Sequence, residues 1–220
     1  MSVWELRPGA ANDHAPVVSL DTGDLISGKF ETNGTAKDWM SRPHVKFEVE
    51  PRKKVQKPAA DISMFLPGSI VLSQEARAAL GGFLSRFGQL LELDVQGQAR
   101  YFYNVTNVID CVDEERTTRT KDGSLKKVAF DLSKVPEDAC VFKAPLTARF
   151  QLYVNDAAKK LLEQWARDAK LSGFEIGKPN SIDFKWSKLS KGQRICSTSR
   201  AGGHLIRSSV GRRTLPGRNG

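Results

Sequence analysis

Residues Ile70–Glu115 read IVLSQEARAALGGFLSRFGQLLELDVQGQARYFYNVTNVIDCVDEE, and this stretch decides the fold. Ser73 opens a helix. Its hydroxyl can accept an orphan backbone N–H, and Glu75 stands in the first turn, where the helix dipole favours negative charge. Ala76, Ala79, Leu80, Phe83, Leu84 and Phe87 recur at helical spacing, so one face of a helix running to about Arg86 belongs to the core. Gly88 fits the helix stop. Leu90–Val95 and Arg100–Val112 then flank Gln96-Gly97-Gln98, which predicts a hairpin. The stretch ends in an acidic group, Asp110, Asp113, Glu114 and Glu115.

Working outward, Val17–Leu20 and Leu25–Phe30 are short strand candidates, interrupted by turn signals. His44–Glu50 alternates Val45, Phe47 and Val49 with polar residues, a half-buried strand. Pro51–Pro58 holds four basic residues between prolines and predicts a solvated loop. Asp61–Leu66 is a short apolar run. After the turn signal Asp122-Gly123, Leu125–Leu132 is expected to pair back on Tyr103–Val112. Val141–Lys143 and Phe150–Val154 are further short strands. Asn155 caps a second helix, to about Lys170, with Ala157, Ala158, Leu161, Leu162, Trp165, Ala166 and Ala169 on its apolar face and Gly173 as C-cap. Phe174–Ile176 and Ile182–Trp186 read as closing strands. Many short strands with two principal helices predict an α+β fold, the helices packed on a mainly antiparallel sheet.

The chain has 220 residues, enough for one domain with a tail, and 40% apolar with 27% charged content is ordinary for a globular protein. No stretch approaches the ~20 apolar residues of a membrane helix, so no membrane partner is expected. The first residues, MSVWELRPGAANDHAP, lack the basic and apolar regions of a secretory signal. Three scattered cysteines, Cys111, Cys140 and Cys196, make no disulfide framework, and the expected location is a reducing cytoplasm. The net charge of +9 is unevenly spread. Residues 181–220 carry nine Lys or Arg against Asp183 alone, whereas the other 180 residues carry 25 bases and 24 acids. The basicity therefore belongs to the chain end. Residues 1–186 are expected to form one α+β domain, and the Ser/Gly/Arg-rich segment 187–220 a disordered tail.

Few residues invite chemistry. None of His14, His44, His204 and the three cysteines lies within four residues of another, and Gly-x-Ser-x-Gly is absent, so no metal site, cofactor or hydrolytic triad is expected. Tyr101, Phe102 and Tyr103 lack the interleaved bases of a nucleic-acid stacking platform and read as core and cross-strand packing. The tail can bind nucleic acid non-specifically through phosphate contacts. The acidic group has three readings. It is a charged strand end and turn neutralised by Arg116, Arg119 and Lys121, it faces a partner and steers a basic one, or it does acid–base work.

A resemblance to a known family adds to this. In order, the chain shows Leu72-Ser73 with Arg77-Ala-Ala-Leu80, then Gly88-Gln89-Leu90-Leu91, then Tyr101-Phe-Tyr-Asn-Val-Thr106 with Asp110, and Asp113-Glu-Glu-Arg116. Val128-Ala-Phe130, Val141-Phe-Lys-Ala-Pro145, Tyr153-Val-Asn-Asp156 and Leu171-Ser-Gly-Phe174 follow. Over residues 61–178 this set resembles the immunity-protein-eleven family of bacterial polymorphic toxin systems. The first ~60 residues match the family only as a loose N-terminal extension, and the tail after about Trp186 has no counterpart. The resemblance implies a non-enzymatic cytoplasmic protein that binds and neutralises a cognate toxin encoded nearby, often a nuclease, by steric occlusion. It carries over no catalytic residues. The partner-binding expectation falls on Asp110, Asp113, Glu114 and Glu115. The competing expectation is a nucleic-acid-associated or regulatory protein acting through its basic tail.

Overall fold

Two sheets share the work of building the core. In the computed structural model, which describes residues 1–9, 13–50, 54–121 and 123–179, the chain runs β1 (Val3–Pro8), β2 (Val17–Ser19), α1 (Thr22–Ile26), β3 (His44–Phe47), β4 (Val49–Glu50), β5 (Val55–Gln56), β6 (Ile62–Met64), β7 (Ile70–Leu72), α2 (Gln74–Leu84), β8 (Gly88–Val95), β9 (Gln98–Val105), β10 (Thr118–Arg119), β11 (Leu125–Lys127), β12 (Val141–Phe142), β13 (Tyr153–Asn155), α3 (Asp156–Asp168) and β14 (Phe174–Gly177). A six-stranded sheet has the order β2-β3-β8-β9-β7-β6, and a four-stranded sheet the order β12-β13-β1-β14. All pairs in both are antiparallel except β3 with β8, so the α+β class stands. The expected strand at Ile182–Trp186 and the tail lie outside the described residues.

Period-two alternation distributes side chains to three cores. Ile70, Leu72, Tyr103 and Val105 of the large sheet meet Leu6, Val141 and Val154 of the small one, with Leu80 and Leu84 of α2 and Ala158 and Leu162 of α3 between them. Phe83 and Trp165 seal the helix pair edge to face at 5.6 Å. Val71, Leu93 and Phe102 point to the other face of the large sheet, where Phe30, Trp39 and Phe65 cluster around Phe102. Val3, Phe142 and Tyr153 point to the other face of the small sheet, covered by Cys111, Val112, Leu125, Val128, Val135 and Cys140. Tyr101, Phe102 and Tyr103 therefore pack as expected.

The termini of the helices follow local chemistry. The Ser73 hydroxyl accepts the Ala76 amide at 3.1 Å, and the Asn155 carbonyl accepts the Ala158 amide at 2.9 Å. The α2 face packs as its sequence suggests, whereas the α3 face is narrower: Leu161 and Ala169 of its expected stripe are exposed. Neither expected cap glycine is one. α3 ends with Lys170 in the left-handed region (φ 53°), whereas Gly173 (φ 71°) sits where a side chain would meet the Ile62 carbonyl oxygen at 2.3 Å. Gly88 opens β8, where an added Cβ would lie 2.4 Å from the Asn104 carbonyl oxygen.

Other expectations are corrected. Leu25–Phe30 is not a strand. Asp21 accepts the Gly23 amide and caps α1, which turns the chain. The His44–Glu50 strand breaks at Glu48, whose amide goes to the Pro16 carbonyl, so Val49 is exposed rather than buried. Part of the expected loop Pro51–Pro58 is a hairpin strand: Val49 pairs with Gln56 and Glu50 with Val55. The central hairpin turns on two residues, Gln96 and Gly97, both at positive φ. β9 ends at Val105 because the Thr106 and Asn107 amides both turn to the Phe87 carbonyl. Leu125–Lys127 consequently pairs with Thr118–Arg119, not with β9, and only a single bridge joins Val112 to Phe130.

The first residues are built into the small sheet. β1 lies between β13 and β14, in register Val3 to Asn155 and Leu6 to Ile176. Its Trp4 indole donates to Asp156 at 2.7 Å. Asp61 makes a second long-range tie. It accepts from the Ser73 hydroxyl (2.9 Å) and from the Ser172 amide (2.8 Å) and hydroxyl (2.6 Å). Burial pushes the Asp61 carboxyl up, but the Ser172 and Ser73 hydrogen bonds and the Arg100 charge outweigh it and hold it below the usual range. Hydrogen bonds to a charged group contribute ~1.5–3 kcal/mol each before non-additivity, so Asp61→Ala is expected to cost roughly 2–4 kcal/mol in urea melts. Because the folded pKa is depressed, this stability is present above about pH 4 and is lost as the pH falls through the folded value. The variant should show a flatter acid limb than the parent.

Candidate functional site

The acidic corner lies on the segment that covers the small sheet. Its backbone is the expected turn, entered from the bridged Val112. The Asp113 amide donates to the Ala129 carbonyl (2.9 Å), and the Asp113 carbonyl accepts the Thr117 hydroxyl (2.7 Å). The Asp113 carboxylate caps this turn by accepting the Arg116 amide (3.0 Å) and its guanidinium, and these bonds hold its pKa below the usual range. Arg116 also donates to the Phe130 carbonyl at 3.2 Å. Arg119 turns instead to the Gly123 carbonyl.

The four expected site residues thus divide. Asp113 is committed to its turn and to Arg116. Asp110, Glu114 and Glu115 are exposed, and among the described residues no ion pair engages them. The turn brings one further acid near. Asp131, whose amide donates to the Cys111 carbonyl, interacts electrostatically with Asp113. Its pKa is lowered chiefly by the Ser133 hydroxyl. Sequence reading missed Asp131 because it is local punctuation there, an Asp-Leu-Ser cap, and only the Val112–Phe130 bridge delivers it to the corner.

Beside the corner opens a groove of about 590 Å³. Phe87, Ile109, Ala139 and Cys140 give it an apolar floor, with the exposed Arg86, Lys134 and Asp138 around them. Its frame is fixed from beneath. The Asn155 amide group donates to the Pro136 and Asp138 carbonyls (2.8 and 2.7 Å), and Asn107 donates to the Val141 carbonyl (2.8 Å). Cys140 is a poor nucleophile there, since burial pushes its thiol up to about 11. Cys111 is likewise a free, buried thiol raised to about 11 by burial.

Two titratable groups carry little chemistry. His44 contacts Asp94 at 2.9 Å, but Asp94 also accepts the Gly97 amide and serves the hairpin turn. Lys143 is wholly buried, with its ammonium on the carbonyls of Gly68 (2.8 Å), Ala148 (2.6 Å) and Gln151 (3.4 Å). Burial pushes its pKa down to about 7, while the three carbonyls favour the charged form. It joins two loops and opens on no cavity among those described. Among the described residues no three His, Cys, Asp or Glu side chains gather as a metal site, and no helix is long and apolar enough to cross a membrane.

No family model matches this chain. No curated protein matches it either.

Proposed function

We propose that the protein is an immunity protein that binds a cognate interbacterial toxin in the cytoplasm of the producing cell and occludes it. The observation that carries this reading is the ordered family-like set of motifs over residues 61–178. Its residues recur at the joints of the fold. Ser73 and Asn155 cap the two helices. Gly88 and Gly173 allow backbones to touch, and Lys143 ties two loops.

Inhibition on this reading is steric. A sheet-backed surface covers the toxin's active site with an interface of about 1,600 Å², and a few desolvated anchors slow its release. A nuclease presents a basic surface to nucleic acid, so the exposed carboxylates of Asp110, Glu114 and Glu115 steer it.

The test is a tagged full-length pull-down from the source bacterium, with nuclease treatment and high salt. Stoichiometric recovery of one toxin-domain protein supports the reading. Recovery of nucleic acid alone would instead favour the tail, with its nine bases against one acid over residues 181–220. With the partner in hand, reversing Asp110, Glu114 and Glu115 to lysine should weaken binding at least ten-fold, mostly in the association rate, on the order of 1.4 kcal/mol or more. Asp113 is left intact to spare the turn. An unchanged association rate would remove the corner from the interface.

A further inference from the structure

The groove beside the acidic corner has hydrogen-bonding capacity that the fold leaves unused. The Arg86 guanidinium only overlies the rings of Phe83 and Phe87, at 5.7 and 5.5 Å, and among the described residues no carboxylate or carbonyl engages it. The Thr106 amide is committed to the Phe87 carbonyl, but its hydroxyl has no partner among the described residues. Among the described residues Lys134 pairs only with Asp131, at 3.9 Å with both side chains well exposed, a contact of little strength. Two cations and a free hydroxyl thus surround an apolar floor of Phe87, Ile109 and Ala139. An arginine laid over aromatic faces is pre-oriented, which favours a bidentate carboxylate.

We propose that this groove seats a single acidic side chain, flanked by aliphatic residues, from the surface of the protein partner. This deepens the immunity reading and rests on it for the partner's identity. The carboxylate lies on Arg86, within reach of Thr106 and Lys134, and the aliphatic neighbours cover the floor. Asp138, the one acid among the lining residues, selects against a run of acids. The arrangement also gives direction. A cationic groove next to the anionic Asp110–Glu115 turn sets both signs of charge on one face, and a partner matching both can dock in only one orientation.

The probe is the peptide acetyl-Leu-Asp-Leu-amide, titrated into ¹⁵N-labelled full-length protein at low salt, with the Asn analogue as control. Shifts are expected at the amides of Phe87, Thr106, Asn107, Ala139 and Cys140. The Asp peptide should bind roughly five- to ten-fold tighter than its Asn analogue. Arg86→Glu, an exposed substitution whose spectrum reports its own fold, should erase that preference. Shifts mapping elsewhere, equal binding of the two peptides, a preference that survives Arg86→Glu, or no shift at millimolar peptide would each overturn the proposal. The titration needs no toxin, so its failure leaves the immunity reading standing, and a failed pull-down leaves the groove's selectivity measurable.

Discussion

Removing residues 1–9 should abolish cooperative folding of the whole unit, not merely trim an end. β1 is an interior strand of the small sheet, and without it β13 and β14 lose their shared partner. Val3 and Leu6, 8% and 3% exposed, leave two different cores at once. The deletion also frees Asp156 in the first turn of α3 from the Trp4 indole and the Ser2 amide, each at 2.7 Å. A less drastic version is Leu6→Ala, which should cost about 2–5 kcal/mol by transfer and cavity terms. Circular dichroism with thermal melting checks both. A truncated chain that melts sharply, within a few degrees of the parent, would show that β1 is dispensable.

Truncating Lys143 is the second large effect. Lys143→Ala empties a buried site and leaves the Gly68, Ala148 and Gln151 carbonyls without their shared donor. Relief of the buried charge offsets part of this, and a net loss of about 3–5 kcal/mol is expected. Lys143→Met fills the volume and should cost less. The pH dependence separates charge from volume. The ammonium's pKa is about 7 in the folded state, below its ordinary value of 10.5 in the unfolded chain. Between those limits the unfolded chain binds the extra proton, so stability rises with pH across the window. Below pH 7 that gain is gone. The slope is at most about 1.4 kcal/mol per pH unit. Lys143→Met should lack it. A parent whose stability is flat from pH 7 to 10 would mean that the three carbonyls keep the amine charged.

The α+β class was legible because its signals are local. Ser73 and Asn155 announce their helices, and the alternation through Tyr101–Val105 places Phe102 and Tyr103 on opposite faces. What was illegible depends on distant partners. Val3–Leu6 has no strong strand pattern, and only β13 and β14, some 150 residues away, make it a strand. Leu161 looks like part of an apolar stripe, but the face that α3 turns to the core is Ala158, Leu162, Trp165 and Ala166, and Leu161 is left exposed. Leu125–Lys127 leaves the main sheets because Phe87 captures the amides that would have prolonged β9. The acidic corner was visible as composition. Its division into one committed aspartate and three exposed acids that no ion pair engages among the described residues was not, since that depends on how the turn aims Arg116. The groove was invisible, because its lining comes from the end of α2, the residues after β9 and the segment before β12.

The position of β1 also constrains how the protein is made. Its residues leave the ribosome long before Tyr153–Asn155 and Phe174–Gly177, the strands that must flank it. The small sheet cannot close during most of synthesis, and Val3, Trp4 and Leu6 stay without their strand partners until then. The large sheet, whose hairpin and helix are neighbours in the chain, can assemble first. Contacts of such high sequence separation make closure the slow step. If the protein must act as soon as a toxin arrives, the cell therefore has to hold it ready-made in advance.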